Sequence, residues 1–250
     1  MTGAPATDRE ILIATITDLL DGVRTVAVGM SSPIPAAGAM LLRARNEANG
    51  RAPVRIIVLG SRDHNFLTNG AFELFDAAAQ GRIDAFFLGG GQIDGQANIN
   101  LVGTGAYPDN EVRWPGSFGS AFLYFVVPRV ILFREEHSPR VFVEKVDFVS
   151  APGHSEGVAR SGGPHALLTG KALFDFDKAR QRFRLRSVHG GASVSDVRAL
   201  TGFDYDAADT VSTTPAPDAG TLALLRGRVT DELAETYPQF AATLAAGFAA

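Results

Sequence analysis

Apolar residues in the first part of the chain follow two alternating patterns. Ile11, Ile16 and Leu20 belong to a run with helical spacing, which predicts an amphipathic helix that stops at Gly22. Short, nearly continuous apolar runs then predict buried strands, and longer Ala- and Leu-rich runs predict helices. Strands are expected at residues 25–29, 54–59 and 85–88, and helices at 36–47 and 72–79. This alternation indicates an α/β fold with an open, mainly parallel sheet covered by helices.

The second half of the chain is richer in strand-like runs. Its most apolar tract, residues 121–133, is broken by Pro128 and Arg129 and is expected to form two buried strands, since it is shorter than the roughly 20 residues of a membrane helix. Other strands are expected at 141–143, 172–176 and 183–188, a long surface loop at 153–164, a polar connection at 206–218, and a C-terminal helix from about residue 220. No firm boundary is visible, so residues 1–250 are interpreted as a single domain.

Composition and charge exclude several classes of protein. The 250 residues are 46% hydrophobic and 20% charged, which is typical of a globular protein. The net charge is −4 and there is no Lys/Arg block, so binding to nucleic acid or to an anionic membrane is not expected. There is no cysteine, which rules out a thiol nucleophile or a disulfide framework. Asp8 and Glu10 precede the first apolar run, unlike a secretory signal, so a cytoplasmic location is expected.

Small and polar residues follow three of the predicted strands. In open α/β sheets, ligands bind beyond the carboxyl ends of the strands, so these loops are the expected site. The candidate residues are Met30 and Ser31 after the first strand, Leu59, Gly60 and Ser61 after the second, and Gly90, Gly91 and Gln92 after the third.

Two glycine loops offer backbone N–H groups to a ligand. Gly90 and Gly91 end a strand, and Gly116, Ser117 and Gly119 lie in the phrase WPGSFGS. Such amides can hold an oxyanion or a phosphate, although a bare glycine cluster is more often only a tight connection. The first loop has neither Walker nor GxGxxG spacing, and the second has no GxSxG elbow, so it gives no specific support for a serine nucleophile.

The five histidines are scattered and show no metal-ligand spacing, so no metal site is expected. His64, beside Asp63 just beyond a predicted strand end, is the best acid/base candidate. A surface or hydrogen-bonded structural histidine is the commoner alternative. The run LFDFD contains two aspartates, Asp175 and Asp177, which could suggest a pair of catalytic carboxylates. Side chains alternate along a strand, so Phe174 and Phe176 would face the core and the aspartates the other side. This alternation explains the two aspartates without a catalytic role.

Five phrases resemble, in the same order, the β subunit of family I CoA-transferases of the glutaconate CoA-transferase type. They are FFLGGGQIDGQANIN (86–100), RWPGSFGSA (113–121), VEKVDFVSAPG (143–153), LTGKALFDFD (168–177) and SVHGGASVSDVRALTGFD (187–204). The resemblance extends from the first helix to about residue 230. It implies the CoA-transferase (NagB/RpiA-like) fold, a partner α subunit of similar fold and an active site between the two. It also implies an acyl-CoA substrate, with coenzyme A as part of the substrate and no bound cofactor.

One departure from this family concerns its nucleophile, a glutamate that ends the second strand in a phrase like IIVES. This chain reads Ile56-Ile57-Val58-Leu59-Gly60-Ser61, so Leu59 takes that position. Leucine cannot attack a carbonyl. Two-subunit hydrolases that open the rings of steroid-derived CoA esters also lack this glutamate, and resemblance to them implies an acting glutamate on the α subunit. The run at 140–150 and the loop at 116–119 resemble that branch, whereas Phe118 stands where transferases usually have glycine.

The expected protein is therefore the β subunit of a heteromeric enzyme that hydrolyses or ring-opens a CoA ester, as in steroid degradation. Amides of the loop at 116–119, with Gln92, Gly90 and Gly91, would stabilise an enolate or oxyanion. Met30, Ser31 and residues 59–61 would line the acyl pocket. True CoA transfer, using a carboxylate from elsewhere, is one alternative. A non-catalytic scaffold subunit is another.

Overall fold

The computed structural model describes residues 4–248, which belong to two compact units. The first comprises residues up to 73, residues 83–86 and those from 215 onward, and the second comprises 74–82 and 87–214. The helices are α1 (Asp8–Leu19), α2 (Pro33–Ala48), α3 (Gly70–Ala79), α4 (Ser120–Val126), α5 (Val194–Leu200), α6 (Ala219–Leu224), α7 (Thr230–Leu233) and α8 (Pro238–Ala246), with a π-helical turn at Leu225–Val229. The interpretation as a single domain stays a prediction.

The first unit is built on parallel strands. The strands are β1 (Thr25–Val28), β2 (Arg55–Val58) and the beginning of β3 (Ala85–Leu88). β1 pairs in parallel with β2, from Thr25 opposite Arg55 to Val28 opposite Val58, and with β3 on its other side. The last three residues of both β1 and β2 are buried, as expected for strands of a covered parallel sheet.

Helices α1 and α2 pack closely in this unit. Gly38 makes the approach possible, because a Cβ atom at that position would lie 2.3 Å from Cγ2 of Ile16. α1 begins with a capping box in which Thr7 and Glu10 exchange hydrogen bonds. The buried Glu10 carboxylate also accepts a 2.7 Å hydrogen bond from Nε of Arg226, which connects the first helix to the π-helical turn near the end of the chain.

The second unit is rich in β structure. Five strands lie in the order β12-β11-β10-β9-β8, where β8 is Arg129–Arg134, β9 Pro164–Thr169, β10 Ala172–Asp177, β11 Arg182–Val188 and β12 Asp206–Thr213. β9, β10 and β11 are antiparallel neighbours, whereas β8 with β9 and β11 with β12 are parallel. Two short pairs complete the unit: β4 (Gln92–Ile93) with β5 (Ile99–Asn100), and β6 (Gly103–Thr104) with β7 (Val112–Arg113). Phe174, Phe183 and Tyr205 pack edge to face in its core.

The expected α/β fold, with parallel strands first and more β structure later, is confirmed. Three expectations for the second half are wrong. Residues 120–126 form a helix that buries Ser120, Leu123 and Tyr124. The helical spacing of these buried positions cannot be read from the sequence, because nearly every residue of the run is apolar. Residues 141–143 make only an isolated parallel bridge to Ile93 and not a strand, and the N–H groups of Val141 and Phe142 bond to Ser138 O in a turn. Residues 206–213 are a largely exposed strand with no apolar face to reveal it.

None of the helices within residues 4–248 has the length and apolar character needed to cross a membrane.

A buried histidine in the second unit has both ring nitrogens satisfied in the neutral form. Thr201 Oγ1 donates to Val197 O, so it accepts from Nε2 of His137 at 3.0 Å. The other ring nitrogen, Nδ1, lies 2.8 Å from Thr169 Oγ1, and this is the shorter of two contacts open to the hydroxyl hydrogen, which also has Ala172 O at 3.2 Å. Burial, followed by electrostatic interaction with Lys171 and His189, lowers the pKa of His137 from 6.5 to about 4.

This buried imidazole should make the protein less stable in acid. Between pH 6.5 and pH 4 the unfolded chain binds the proton and the folded chain does not, so the free energy of unfolding should fall by up to about 3 kcal/mol as the pH is lowered through this range. Urea unfolding at a series of pH values measures the loss. His137→Gln should remove this part of the pH dependence, whereas replacement of the exposed His154 by Gln should retain it. If the free energy of unfolding depended on pH equally in wild type and in His137→Gln, the loss of stability in acid would not come from His137.

Candidate functional site

The loops that follow β1 and β2 meet at the carboxyl ends of these strands. Leu59 N donates a 3.0 Å hydrogen bond to Val28 O, which keeps the two loops side by side. The Met30 side chain, 70% exposed, lies over Gly60, where an added Cβ would be 3.6 Å from Met30 Cγ. The structure thus brings together Met30, Leu59 and Gly60, as the strand-end argument predicted. Their role in lining an acyl pocket stays a prediction.

Both loops contain left-handed backbone. Gly60 has φ +90°, which suits glycine, but Ser31 has φ +60°. A non-glycine residue in this conformation costs on the order of 1 kcal/mol, and such residues cluster at binding and active sites. The position of Ser31 directly beyond β1 agrees with a functional loop.

Residues of the C-terminal segment hold these loops in place, and none of them is among the predicted site residues. The Glu235 carboxylate accepts hydrogen bonds from Ser61 Oγ at 2.6 Å and from Arg62 N at 2.9 Å. Side-chain hydrogen bonds from Ser61 and Thr236 lower the pKa of Glu235 from 4.5 to about 2. The Tyr237 hydroxyl accepts from Ser32 N at 3.4 Å, in the loop after β1.

The two acid/base candidates occupy different surroundings. The carboxylate of Asp63 is exposed. His64 donates its backbone N–H to Ser61 Oγ at 2.9 Å, and its Nε2 lies 3.3 Å from Oε1 of Glu232, which also forms an ion pair with Arg43. His64 therefore faces a helix of its own unit, and an acid/base role for either residue stays a prediction.

The glycine loop after β3 lies in the second unit and is closely packed. A Cβ at Gly91 would lie 2.2 Å from the Trp114 ring, and one at Gly90 would lie 2.6 Å from Gln92 O. Gly91 N donates to Asn100 O at 2.9 Å. The Gly91 amide, predicted as a donor to an anion, is therefore already hydrogen bonded within the chain.

Gln92 is buried at the centre of a polar network. Its Oε1 accepts from Asn100 Nδ2 at 2.8 Å and from Asp147 N at 3.0 Å, and its Nε2 donates to Asp147 Oδ2 at 3.1 Å. These bonds give Gln92 a structural part in holding the loop that contains Asp147. Its predicted donation to a developing anion stays a prediction.

The loop at 116–119 retains most of the predicted donors. Gly116 N is occupied, because it donates to Leu101 O at 3.3 Å. The N–H groups of Ser117, Phe118 and Gly119 have no hydrogen-bonding partner among residues 4–248. Consecutive free amides in an exposed turn can stabilise an oxyanion.

Gly119 shapes this loop. Its φ is +72°, and a Cβ there would lie 2.3 Å from Cζ of Phe75. The residue therefore permits both the left-handed turn and the close approach of the ring. Ser117 is exposed, and no histidine hydrogen bonds to its side chain within the described part of the chain, so the geometry offers no Ser–His nucleophile.

The chain belongs to the coenzyme A transferase family, whose pattern matches residues 56–200. This confirms the family identified from the five sequence phrases. The matched region includes Leu59 and both glycine loops.

Among the curated relatives are subunits of two CoA-transferases and of one hydrolase. The B subunit of glutaconate CoA-transferase from Acidaminococcus fermentans is 32% identical over 57% of this chain and 56% of its own length. The B subunit of 3-oxoadipate CoA-transferase from Pseudomonas knackmussii is 33% identical over 58% of each. The cholesterol ring-cleaving hydrolase IpdB subunit of Rhodococcus jostii is 26% identical over 62% of each. The matches thus span less than two thirds of these relatives.

Solved structures share the fold at low sequence identity. The crystal structure of glutaconate coenzyme A-transferase from Acidaminococcus fermentans has a TM-score of 0.78 at 23% identity and covers 94% of this chain and 98% of that chain. For IpdAB of Rhodococcus jostii RHA1, the TM-score is 0.75 at 23% identity, over 90% of this chain and 94% of that one. The decarboxylase AibA/AibB gives 0.74 at 24% identity, over 91% and 98%. The fold therefore accommodates more than one named reaction.

Proposed function

We propose that this chain is the β subunit of a heteromeric enzyme that hydrolyses or ring-opens an acyl-CoA ester. The observation that carries the proposal is Leu59. It follows β2 directly at the end of the strand, where the resemblance to CoA-transferases places the nucleophilic glutamate. An α subunit of similar fold is the expected partner and supplies the reactive carboxylate.

Nearby carboxylates of this unit do not replace that nucleophile. Glu235 is held by Ser61 and Arg62, and Glu232 is paired with Arg43 and His64. Asp63 lies four residues beyond Leu59 in an exposed position. A covalent mixed anhydride on this chain is therefore not expected.

The free amides of the loop at 116–119 provide the electrostatic part of the mechanism. In hydrolysis, the oxygen of water bonds to a carbonyl carbon and the partner's carboxylate accepts the proton. The electron pair of the carbonyl moves to its oxygen, where the amides of Ser117, Phe118 and Gly119 stabilise the charge. Collapse then breaks the C–S bond, or the C–C bond of a cyclic β-diketone-like ester, and the departing sulfur or carbon takes a proton. One such donor commonly contributes about 3 kcal/mol.

The similarity to an IpdB subunit, named as a cholesterol ring-cleaving hydrolase, supports hydrolysis of a steroid-derived ester. True CoA transfer is the second candidate. It is favoured by the higher identity, 32% and 33%, to the B subunits of two CoA-transferases. Transfer would need a carboxylate nucleophile from outside the β2 loop.

Trapping of the covalent intermediate tests the first candidate. The chain, co-purified with the product of the adjacent reading frame, is incubated with acyl-CoA and then treated with borohydride or hydroxylamine, and its peptides are analysed by mass spectrometry. No modified glutamate is expected on this chain, whereas turnover by the complex is expected. A glutamyl-CoA-derived peptide from residues 4–248 would refute the hydrolase proposal and favour transfer.

A further inference from the structure

Three aromatic side chains of the second unit form an exposed cluster, here called the phenylalanine cluster: Phe75 on α3, Phe118 in the loop at 116–119, and Phe122 on α4. The Phe75 ring centroid lies 5.8 Å from that of Phe118 and 5.6 Å from that of Phe122. Phe118 is 80% exposed and Phe122 is 40% exposed. Large apolar side chains grouped on a surface mark a site of interaction with a ligand or another protein.

The cluster is joined to the free amides by the backbone of the loop. Phe118 contributes both its ring and one of the three unpaired N–H groups. The Phe75 ring packs directly against Gly119, which carries another of these groups. Apolar surface and hydrogen-bond donors therefore occupy the same small part of the loop.

A ligand that suits this arrangement has a carbonyl oxygen or oxyanion attached to a large apolar group. A flat protein surface over the rings would also cover three N–H groups, and each one left buried without an acceptor weakens such an association. The acyl half of a thioester supplies the acceptor oxygen and the apolar group in one molecule.

We propose that the phenylalanine cluster binds the acyl group of the substrate and selects CoA esters of bulky apolar acids over those of short acids. This inference rests on the proposed action on acyl-CoA but not on the choice between hydrolysis and transfer. Phe118 is the specificity-determining residue, because it is the most exposed of the three rings and its own N–H is one of the free amides.

S-alkyl-CoA thioethers have no carbonyl group to react, so they measure binding without turnover. Their affinity for the heteromer is measured by calorimetry with alkyl chains from ethyl to decyl. A buried methylene group is worth about 0.8 kcal/mol, or about fourfold, so partial burial should tighten binding by about twofold per methylene. Phe118→Ala should remove most of this dependence on chain length, so that its loss of affinity relative to wild type grows from S-ethyl-CoA to S-decyl-CoA, and Phe118→Leu should restore part of the dependence.

Val158→Ala is the matched control, because Val158 is an exposed apolar residue of the same unit in a different loop. It should retain the wild-type dependence on chain length. Equal dependence in wild type and Phe118→Ala would overturn the inference. Dissociation of the heteromer by Phe118→Ala would overturn it too and would assign the cluster to the partner subunit. If even S-ethyl-CoA fails to bind the wild-type heteromer, the proposed action on acyl-CoA is itself wrong.

Discussion

Gly119→Val is expected to lower turnover of acyl-CoA by at least about a hundredfold while the heteromer stays assembled. Valine disfavours φ +72°, and its Cβ would lie 2.3 Å from Cζ of Phe75. Either the ring or the loop must move, and movement of the loop takes the N–H groups of residues 117–119 away from the developing anion. Loss of one such donor alone commonly lowers kcat by about 10²–10³. Steady-state kinetics of the complex measures the effect.

Gly157→Val separates this effect from backbone strain. Gly157 has a similar φ of +67°, but no atom lies within 4 Å of a Cβ added there. This variant should retain turnover, and circular dichroism should show that both variants are folded. Wild-type turnover in a folded Gly119→Val complex would favour the alternative in which this chain is only a scaffold.

Leu59→Glu is expected to create a covalent intermediate that the wild-type chain does not form. The new carboxylate would stand at the end of β2, beside Met30 and Gly60. It could attack the acyl carbonyl, expel the CoA thiolate and give a mixed anhydride. Attack of the thiolate on the glutamyl carbonyl would then release the free acid and leave a glutamyl-CoA thioester. Mass spectrometry of the intact chain should show the mass of one CoA less one water.

Leu59→Gln is the matched control, because it has nearly the same shape as glutamate but no nucleophilic oxygen anion. It should give no adduct under the same conditions. If Leu59→Glu binds S-ethyl-CoA but acquires no mass from acyl-CoA, Leu59 does not occupy the position of the family's nucleophile, and the argument for a partner-supplied carboxylate loses its basis.

The sequence predicted the first half of the fold well because each strand there is buried along most of its length. β1 and β3 therefore appear as continuous apolar runs, closed by glycine at Gly29 and Gly89. In the second half, the pattern of apolar residues no longer indicates the type of secondary structure. Helix α4 is hidden in a continuous apolar run, and strand β12 is mostly exposed and has polar composition. Only the neighbouring elements determine how such segments fold.

The structure brings the predicted loops after β1 and β2 together, whereas two of the predicted amide donors are already hydrogen bonded within the chain. The loops after β1 and β2 meet because parallel strands end at the same edge, which the sequence order already implies. Whether an amide is free depends on a distant partner: Gly91 donates to Asn100, and Gly116 donates to Leu101. No local pattern distinguishes Glu235, in the turn between α7 and α8, from an ordinary solvated glutamate.

The bond between Ser61 and Glu235 joins residues 174 positions apart, and only the earlier one lies within the family's matched region of 56–200. Loss of Glu235 would take both the Ser61 and the Arg62 contact from the turn beyond β2. We therefore expect relatives that diverge after residue 214 to hold this turn in a different way.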